Sequence, residues 1–321
     1  MENIKLIAGP MATLSHQAFR NAVEKFGGAD EYFTEMINAA SLVNMGPFEK
    51  YYLMNDVASD KIVWQLTGKD SHNFDKAAEI VLAKNGIGVD INMGCSAPQI
   101  YKTGAGISWM LKDPKETEEL VKLVKSVMPQ DKRLSVKMRL GKDDFTEQEF
   151  FDFVEMLVKN GVQTVTLHPR TIKEKLRGFP RYSYAEKIKQ IYKDELEVFV
   201  NGEVKDKESF EYCLSHCPSI NGVMISRESA VKPWIFSQLK GGHDTVDRKQ
   251  LALDFVDDIV KYQPKEFYPT RIQRFFSYYC QQFKFGHYFA TQILNYHSVE
   301  ETKEKINDYF VKQSEEQYIT Y

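Results

Sequence analysis

Cysteine is scarce in this chain. Four of them (Cys95, Cys213, Cys217 and Cys280) among 321 residues give no disulfide framework and point to a reducing compartment, the cytoplasm. No apolar run approaches the roughly 18–20 residues that span a bilayer, so no membrane partner is expected. The N-terminal MENIKLIAGPM has too short an apolar core for a signal peptide and reads as a buried strand. Charge of one sign is also missing. Lys plus Arg is 42 against 45 for Asp plus Glu, a net of −3, so a polyanionic partner requires a local basic patch. With 18 glycines and 11 prolines, collagen-like and low-complexity architectures are excluded. Cys213 and Cys217 flank His216, but the spacing is not CxxC and no second pair exists, so no metal is expected. No obligate protein partner is indicated.

What is present is alternation. Short β-branched or apolar runs recur at 4–9, 30–35, 61–66, 87–92, 133–138, 162–167, 196–201 and 221–226. Between them lie amphipathic segments such as Phe74-Ala77-Ala78-Val81-Leu82 and Phe150-Phe153-Val154-Leu157-Val158, spaced three and four apart. Eight β-then-α units within about 240 residues predict a (β/α)8 TIM barrel over 1–242. An open doubly wound sheet is the competitor. It is disfavoured because the first turn reads Gly9-Pro10-Met11-Ala12 instead of GxGxxG. After Gly241-Gly242 the strand pattern stops. Leu251, Phe255 and Ile259 share one helical face, as do Ile272, Phe275, Phe276, Tyr279 and Phe283, which predicts a small C-terminal all-helical domain over 243–321.

Barrel chemistry gathers at the C-terminal strand ends. Read in order, these give Pro10-Met11-Ala12, Thr34-Glu35-Met36, Gln65, Asn92-Met93-Gly94-Cys95, Lys137-Met138-Arg139, His168-Pro169-Arg170, Asn201-Gly202-Glu203 and Ser226-Arg227. Singly, each has a plain structural alternative: Lys137 a solvated rim lysine, His168 a satisfied loop histidine, Gln65 a turn cap, Cys95 a small buried hydrophobe. Jointly, they describe a site. The last two strand ends occupy the position where many barrels bind phosphate. Gly202 permits close backbone approach, and Arg227 offers a fork for phosphate oxygens. Lys137 and His168 then face a ring, with Gln65 at its edge. FMN fits this set, having one phosphate and a ring that favours a nearby cation on reduction.

Asp90-Ile-Asn-Met-Gly-Cys95, then Lys102-Thr-Gly104-Ala-Gly106, then Leu111-Lys-Asp-Pro114 closely resemble the signature of tRNA-dihydrouridine synthases of bacterial type. Further matches follow in order at Pro10-Met11, Phe19-Arg20, Thr34-Glu35-Met36, Gln65-Leu66, Lys137-x-Arg139, His168-x-Arg170-Thr171, Asn201-Gly202, Met224-Ile225-x-Arg227 and Pro233-Trp234. The resemblance covers 4 to about 237. It implies an FMN-dependent reduction of uridines in tRNA to 5,6-dihydrouridine, with NADPH as reductant. Cys95 is implied as the general acid. Pro10, Met11, Ala12, Gln65, Lys137, His168, Asn201, Gly202, Glu203, Ser226 and Arg227 are implied to hold the flavin. The chemistry is sound in its own terms. Hydride at C6 of uracil leaves an enolate over C5 and the C4 carbonyl, and a thiol titrating near about 8.5 is mostly protonated at neutral pH and can donate to C5. A thiolate nucleophile is the alternative role for such a residue.

Asn92 is expected to hydrogen-bond the uracil edge, and Arg139 and Arg170 to contact RNA phosphates or the enolate. Arg271, Arg274 and Tyr278 fall on one helical face of the tail and suit phosphate contact and base stacking, the alternative being an ordinary solvated face. The chain departs from the family pattern at Ser96-Ala97-Pro98, where Pro usually follows Cys directly. It departs again at Pro169, Leu176, Glu203 and Ser226. A flavin oxidoreductase acting on a free pyrimidine or other small molecule is the runner-up, and the tail is what discriminates the two.

Overall fold

A computed structural model describes residues 4–321, and residues 1–3 of the expected barrel lie outside the described residues. Eight parallel strands form its centre: β1 (Lys5–Ala8), β2 (Glu31–Phe33), β3 (Ile62–Thr67), β4 (Gly88–Met93), β5 (Arg133–Arg139), β6 (Thr164–His168), β7 (Glu197–Asn201) and β8 (Gly222–Ile225). Each pairs with the next in sequence, and β8 returns to β1, so the sheet closes. The strands lie within two residues of their expected positions, and closure rules out the open sheet. A two-residue strand, Ile37–Asn38, pairs beside β3; it is too short to announce itself as a periodic run.

Period-two alternation sorts the strand residues. Ile7, Phe33, Val63, Phe199 and Met224 form one buried cluster, while Leu6, Ala8, Trp64, Leu66, Val89, Ile91 and Val136 belong to a second, larger one. The N-terminal mouth is closed by ions: Lys5 and Arg133 both pair with Glu31 and Glu197.

The connecting helices include α1 (Gln17–Glu24), α2 (Phe74–Leu82), α3 (Pro114–Ser126), α4 (Glu147–Lys159), α5 (Ser183–Tyr192) and α6 (Lys207–His216). Their ends are chemically marked. Asp113 caps α3 with Pro114 in its first turn, and Thr146 with Glu149 makes a capping box on α4. Beyond α4 the chain passes through Gly161 at φ +84°, a conformation glycine adopts without strain.

The tail folds as α7 (Arg248–Tyr262), α8 (Tyr268–Tyr279), α9 (Gly286–Leu294) and α10 (Val299–Lys312). It is tied together by a short antiparallel pair, Thr245–Asp247 with Tyr318–Thr320, which the helical periodicity gave no sign of. Its core is aromatic: Phe255 stacks on Phe275 at 3.7 Å and Phe289 on Tyr309 at 4.1 Å. Asn21 of α1 donates to Asp258 of α7 at 3.0 Å, and Lys25 pairs with Asp254. The tail is thereby fastened to the first barrel helix. Among the described residues no helix is long and apolar enough to cross a membrane.

Candidate active site

The C-terminal strand ends open into one cavity of about 670 Å³. Pro10, Met11 and Ala12 line it from the turn after β1, Gln65 from β3, Asn92 and Cys95 from β4, and Lys137 and Arg139 from β5. His168 and Arg170 come from β6, Asn201, Gly202 and Glu203 from β7, and Ser226 and Arg227 from β8. Arg274, Tyr278 and Gln281 of the tail complete the wall. Every expected site residue except Arg271 therefore meets at this cavity.

Register explains the convergence. Gln65 sits opposite Asp90, Asp90 opposite Ser135, Asn92 opposite Lys137, and Arg139 opposite His168. Side chains two apart on a strand share a face, so Asp90 lies one step below Asn92 on the same side. Asp90 is fully buried. It accepts from Ser135 Oγ at 2.7 Å and from Gln65 Nε2 at 2.8 Å. Gln65 Oε1 in turn accepts from Asn92 Nδ2 at 2.9 Å. Burial pushes the Asp90 carboxyl up to about 6, against the hydrogen bonds from Ser135 and Gln65 and the charges of Lys137 and Arg133. The sequence marked Asp90 only as part of a motif; alternation with Asn92 was the available signal for its place beneath the site.

Cys95 stands half-buried on the loop after β4, whereas the other three cysteines are buried. Its backbone is held from both sides. The Cys95 N–H donates to Asn92 Oδ1 at 3.0 Å, and its carbonyl accepts from Ile107 N at 3.0 Å. Gly106 makes the second contact possible: at φ +60° a Cβ there would lie 2.5 Å from the Cys95 carbonyl, a clash that only glycine avoids. Pro98 begins a one-turn helix, Pro98–Tyr101, directly beyond this loop.

Lys137 Nζ donates to Asn201 Oδ1 at 3.2 Å, and Asn201 donates to the Met224 carbonyl at 2.9 Å. Loss of hydration, with Arg139 beside it, pushes the Lys137 ammonium down to about 8, although Asp90 favours its charge. Burial drives His168 far below the usual histidine range, and Arg139, Lys137, Arg170 and Arg227 add to the effect. His168 is thus neutral. Arg170 Nη1 lies 3.1 Å from His168 Nε2, and a guanidinium can only donate. Nε2 is therefore the acceptor, and the proton of His168 sits on Nδ1.

Three arginines are engaged by the protein itself. Arg139 donates to the carbonyls of Gly94, Thr171 and Lys175, and Arg170 to that of Gly178 and to Glu203. Both are buried and hold the loops around the cavity in place. Arg271 does not reach the cavity. It is buried in an ion pair with Glu35 and lies over the rings of Phe267 and Tyr52. Arg274, one turn on, is exposed, with its guanidinium 5.1 Å from the Tyr278 ring centroid. Cys213 and Cys217 lie away from this site on α6 and its end, buried with 3.9 Å between the sulfurs, while His216 bonds locally to Tyr212 and Ser215. Among the described residues no group of three His, Cys, Asp or Glu is arranged to hold a metal.

The chain is similar to known proteins. A family model described as Dihydrouridine synthase (Dus) matches residues 6–319. A probable tRNA-dihydrouridine synthase of Aquifex aeolicus is 31% identical over 257 residues, 78% of this chain and 78% of its own length. Probable tRNA-dihydrouridine synthase 2 of Bacillus subtilis is 26% identical over 314 residues, 94% of this chain and 93% of its own. Among solved structures, an old yellow enzyme homologue from Zymomonas mobilis superposes with a TM-score of 0.50 at 11% identity, covering 71% of this chain and 86% of that one, a likeness of fold alone. Matched by the family model along nearly its whole length, the chain belongs to the dihydrouridine synthase family.

Proposed function

We propose that this protein reduces specific uridines of tRNA to 5,6-dihydrouridine with FMN as cofactor and NADPH as reductant. In this reading 1–242 form the catalytic unit and 243–321 the tRNA grip. The observation that carries it is the meeting of Cys95 with Lys137, His168, Asn201 and Arg227 around one cavity in a chain of this family. The donor set fits FMN. A cation (Lys137) and neutral side-chain donors (Gln65, His168) suit the ring, and Arg227 with the Gly202–Glu203 turn suits the phosphate. Gly202 supports the fit: it adopts φ +139°, and a Cβ there would lie 3.3–3.5 Å from Pro180, Arg170 and His168.

Hydride chemistry at C6 of uracil is what such a group supplies when bound. The protein's own residues do the rest. Asn92 orients the uracil edge, Cys95 gives its thiol proton to C5, and solvent restores that proton. The C5=C6 bond gains one hydride and one proton. His168 donates through Nδ1, and Lys137 opposes negative charge at the ring. The test is direct: purified protein with FMN, NADPH and unmodified tRNA yields dihydrouridine, and no product under those conditions contradicts the proposal.

Two outcomes follow from the charges. The Lys137 ammonium is charged below about 8 and loses its proton above it. FMN binding to the apoprotein, read by flavin fluorescence quenching, therefore weakens as pH rises through that value. Lys137→Met weakens binding by roughly tenfold or more at pH 7, as loss of a charged hydrogen bond predicts, and removes the pH step. Arg274→Ala weakens tRNA binding across sequences and lowers the slope of log affinity against log salt by about 1, with FMN binding unchanged.

A further inference from the structure

Four polar side chains beneath and beside the cavity form a single row: Ser135, Asp90, Gln65 and Asn92, ending on the backbone of the Cys95 loop. Two of them are primary amides. Each can present its oxygen or its nitrogen to either neighbour, so the row could run in two senses. Only one sense gives the Cys95 N–H an acceptor.

We propose that Asp90 is a positioning residue that sets the sense of this row and thereby fixes the loop carrying Cys95. A carboxylate accepts and cannot donate. Gln65 must therefore turn Nε2 toward Asp90, which leaves Oε1 toward Asn92. Asn92 must then turn Nδ2 toward Gln65, which leaves Oδ1 facing the loop. There it accepts from Cys95 N at 3.0 Å and from Gly94 N at 3.3 Å. Reversal would bring the Asn92 NH₂ group against two backbone N–H donors. Gln65 and Asp90 are wholly buried and Asn92 nearly so, so solvent does not supply the missing acceptor, and an unsatisfied buried donor is costly. Asp90 is not among the residues that line the cavity. Its role rests on the reading of Cys95 as the proton donor given above, but its effect on the loop does not require turnover.

The test uses the full-length protein without nucleotide or tRNA, at pH 8. Cys95 is the one half-buried cysteine and the other three are buried, so the rate of its alkylation by iodoacetamide, read by mass spectrometry, reports the loop. Asp90→Asn keeps the shape but admits both senses of the row, and alkylation becomes about fivefold faster, the ratio set by losing one net hydrogen bond. Gln65→Leu cuts the row while leaving the Asp90 charge, and gives a similar increase. The double variant Q65E/D90N moves the carboxylate one position along. Asn92 is again forced to present Oδ1 to the loop, and the rate returns to within about twofold of wild type, the scatter expected once that bond is regained.

A Gln65→Leu rate equal to wild type would show that charge alone governs the thiol, and would overturn the proposal. So would a double variant as fast as Asp90→Asn. If thermal unfolding shows Q65E/D90N to be unfolded at the assay temperature, D90N/N92D carries the carboxylate to the end of the row and makes the same prediction. Dihydrouridine formation by the wild-type enzyme is measured separately. Its absence would refute the functional reading and leave the alkylation rates meaningful.

Discussion

Cys95→Ala abolishes nearly all dihydrouridine formation while leaving the flavin-reducing half of the reaction intact. Removing a positioned general acid costs roughly 10²–10⁴-fold. The loss belongs to the step in which C5 of uracil acquires a proton. Reduction of bound flavin by NADPH, followed by bleaching of its visible absorption, proceeds at the wild-type rate because Cys95 has no part in it. Oxidation of the reduced enzyme by tRNA then slows by that factor. The loop stays in place in the alanine variant, because its backbone is held by Asn92 and Ile107 and not by the sulfur. Equal slowing of both half-reactions would mean that Cys95 shapes the pocket and does not donate.

The second large effect is on stability. Glu35 and Arg271 form a buried ion pair joining the end of β2 to α8, and Glu35 also accepts from the Thr13 N–H at 2.5 Å. Removing one partner leaves the other charge uncompensated, which typically costs about 3–5 kcal/mol. Arg271→Ala therefore lowers the denaturation midpoint markedly, whereas E35Q/R271M recovers part of the loss, because the two paired charges go together and only the buried Arg20 loses the nearby carboxylate. The pH dependence has a definite sign. Burial already raises the Glu35 carboxyl, and Arg271 opposes that rise. Without Arg271 it rises further. Protonation then relieves the unpaired charge, so the gap between wild type and Arg271→Ala narrows as pH falls from 7 toward 5. Additive single and double losses would count against the pair. The effect reaches the cavity as well, since Thr13 follows the Pro10–Ala12 turn that lines it.

The barrel was legible because short apolar runs and longer amphipathic segments take turns along the chain. Runs such as Lys61–Leu66 are brief and largely apolar, the segments between them repeat at three and four, and eight such units match a closed barrel. The strand tips were legible because topology alone brings them together. What escaped was anything decided by a neighbour distant in sequence. Arg271 and Arg274 share a helical face, yet the barrel covers the first and leaves the second open, and only the fold reveals Glu35 beside it. The hold of the Lys175 and Gly178 carbonyls on Arg139 and Arg170 was not legible, because backbone carbonyls carry no sequence signature. The strands Thr245–Asp247 and Tyr318–Thr320 are too short for a period to register and are far apart in the chain.

Closure of the barrel has a consequence for synthesis. One edge of β1 is paired by β8 alone, with Lys5 opposite Gly222 and Ala8 opposite Ile225. A chain leaving the ribosome carries that edge unpaired until the last barrel strand has emerged. Most of the polypeptide is then already made, and the exposed edge is a template for pairing with another nascent chain. Fragments ending before Gly222 should accordingly accumulate as aggregates, and assistance during translation should matter more for this protein than its ordinary composition suggests.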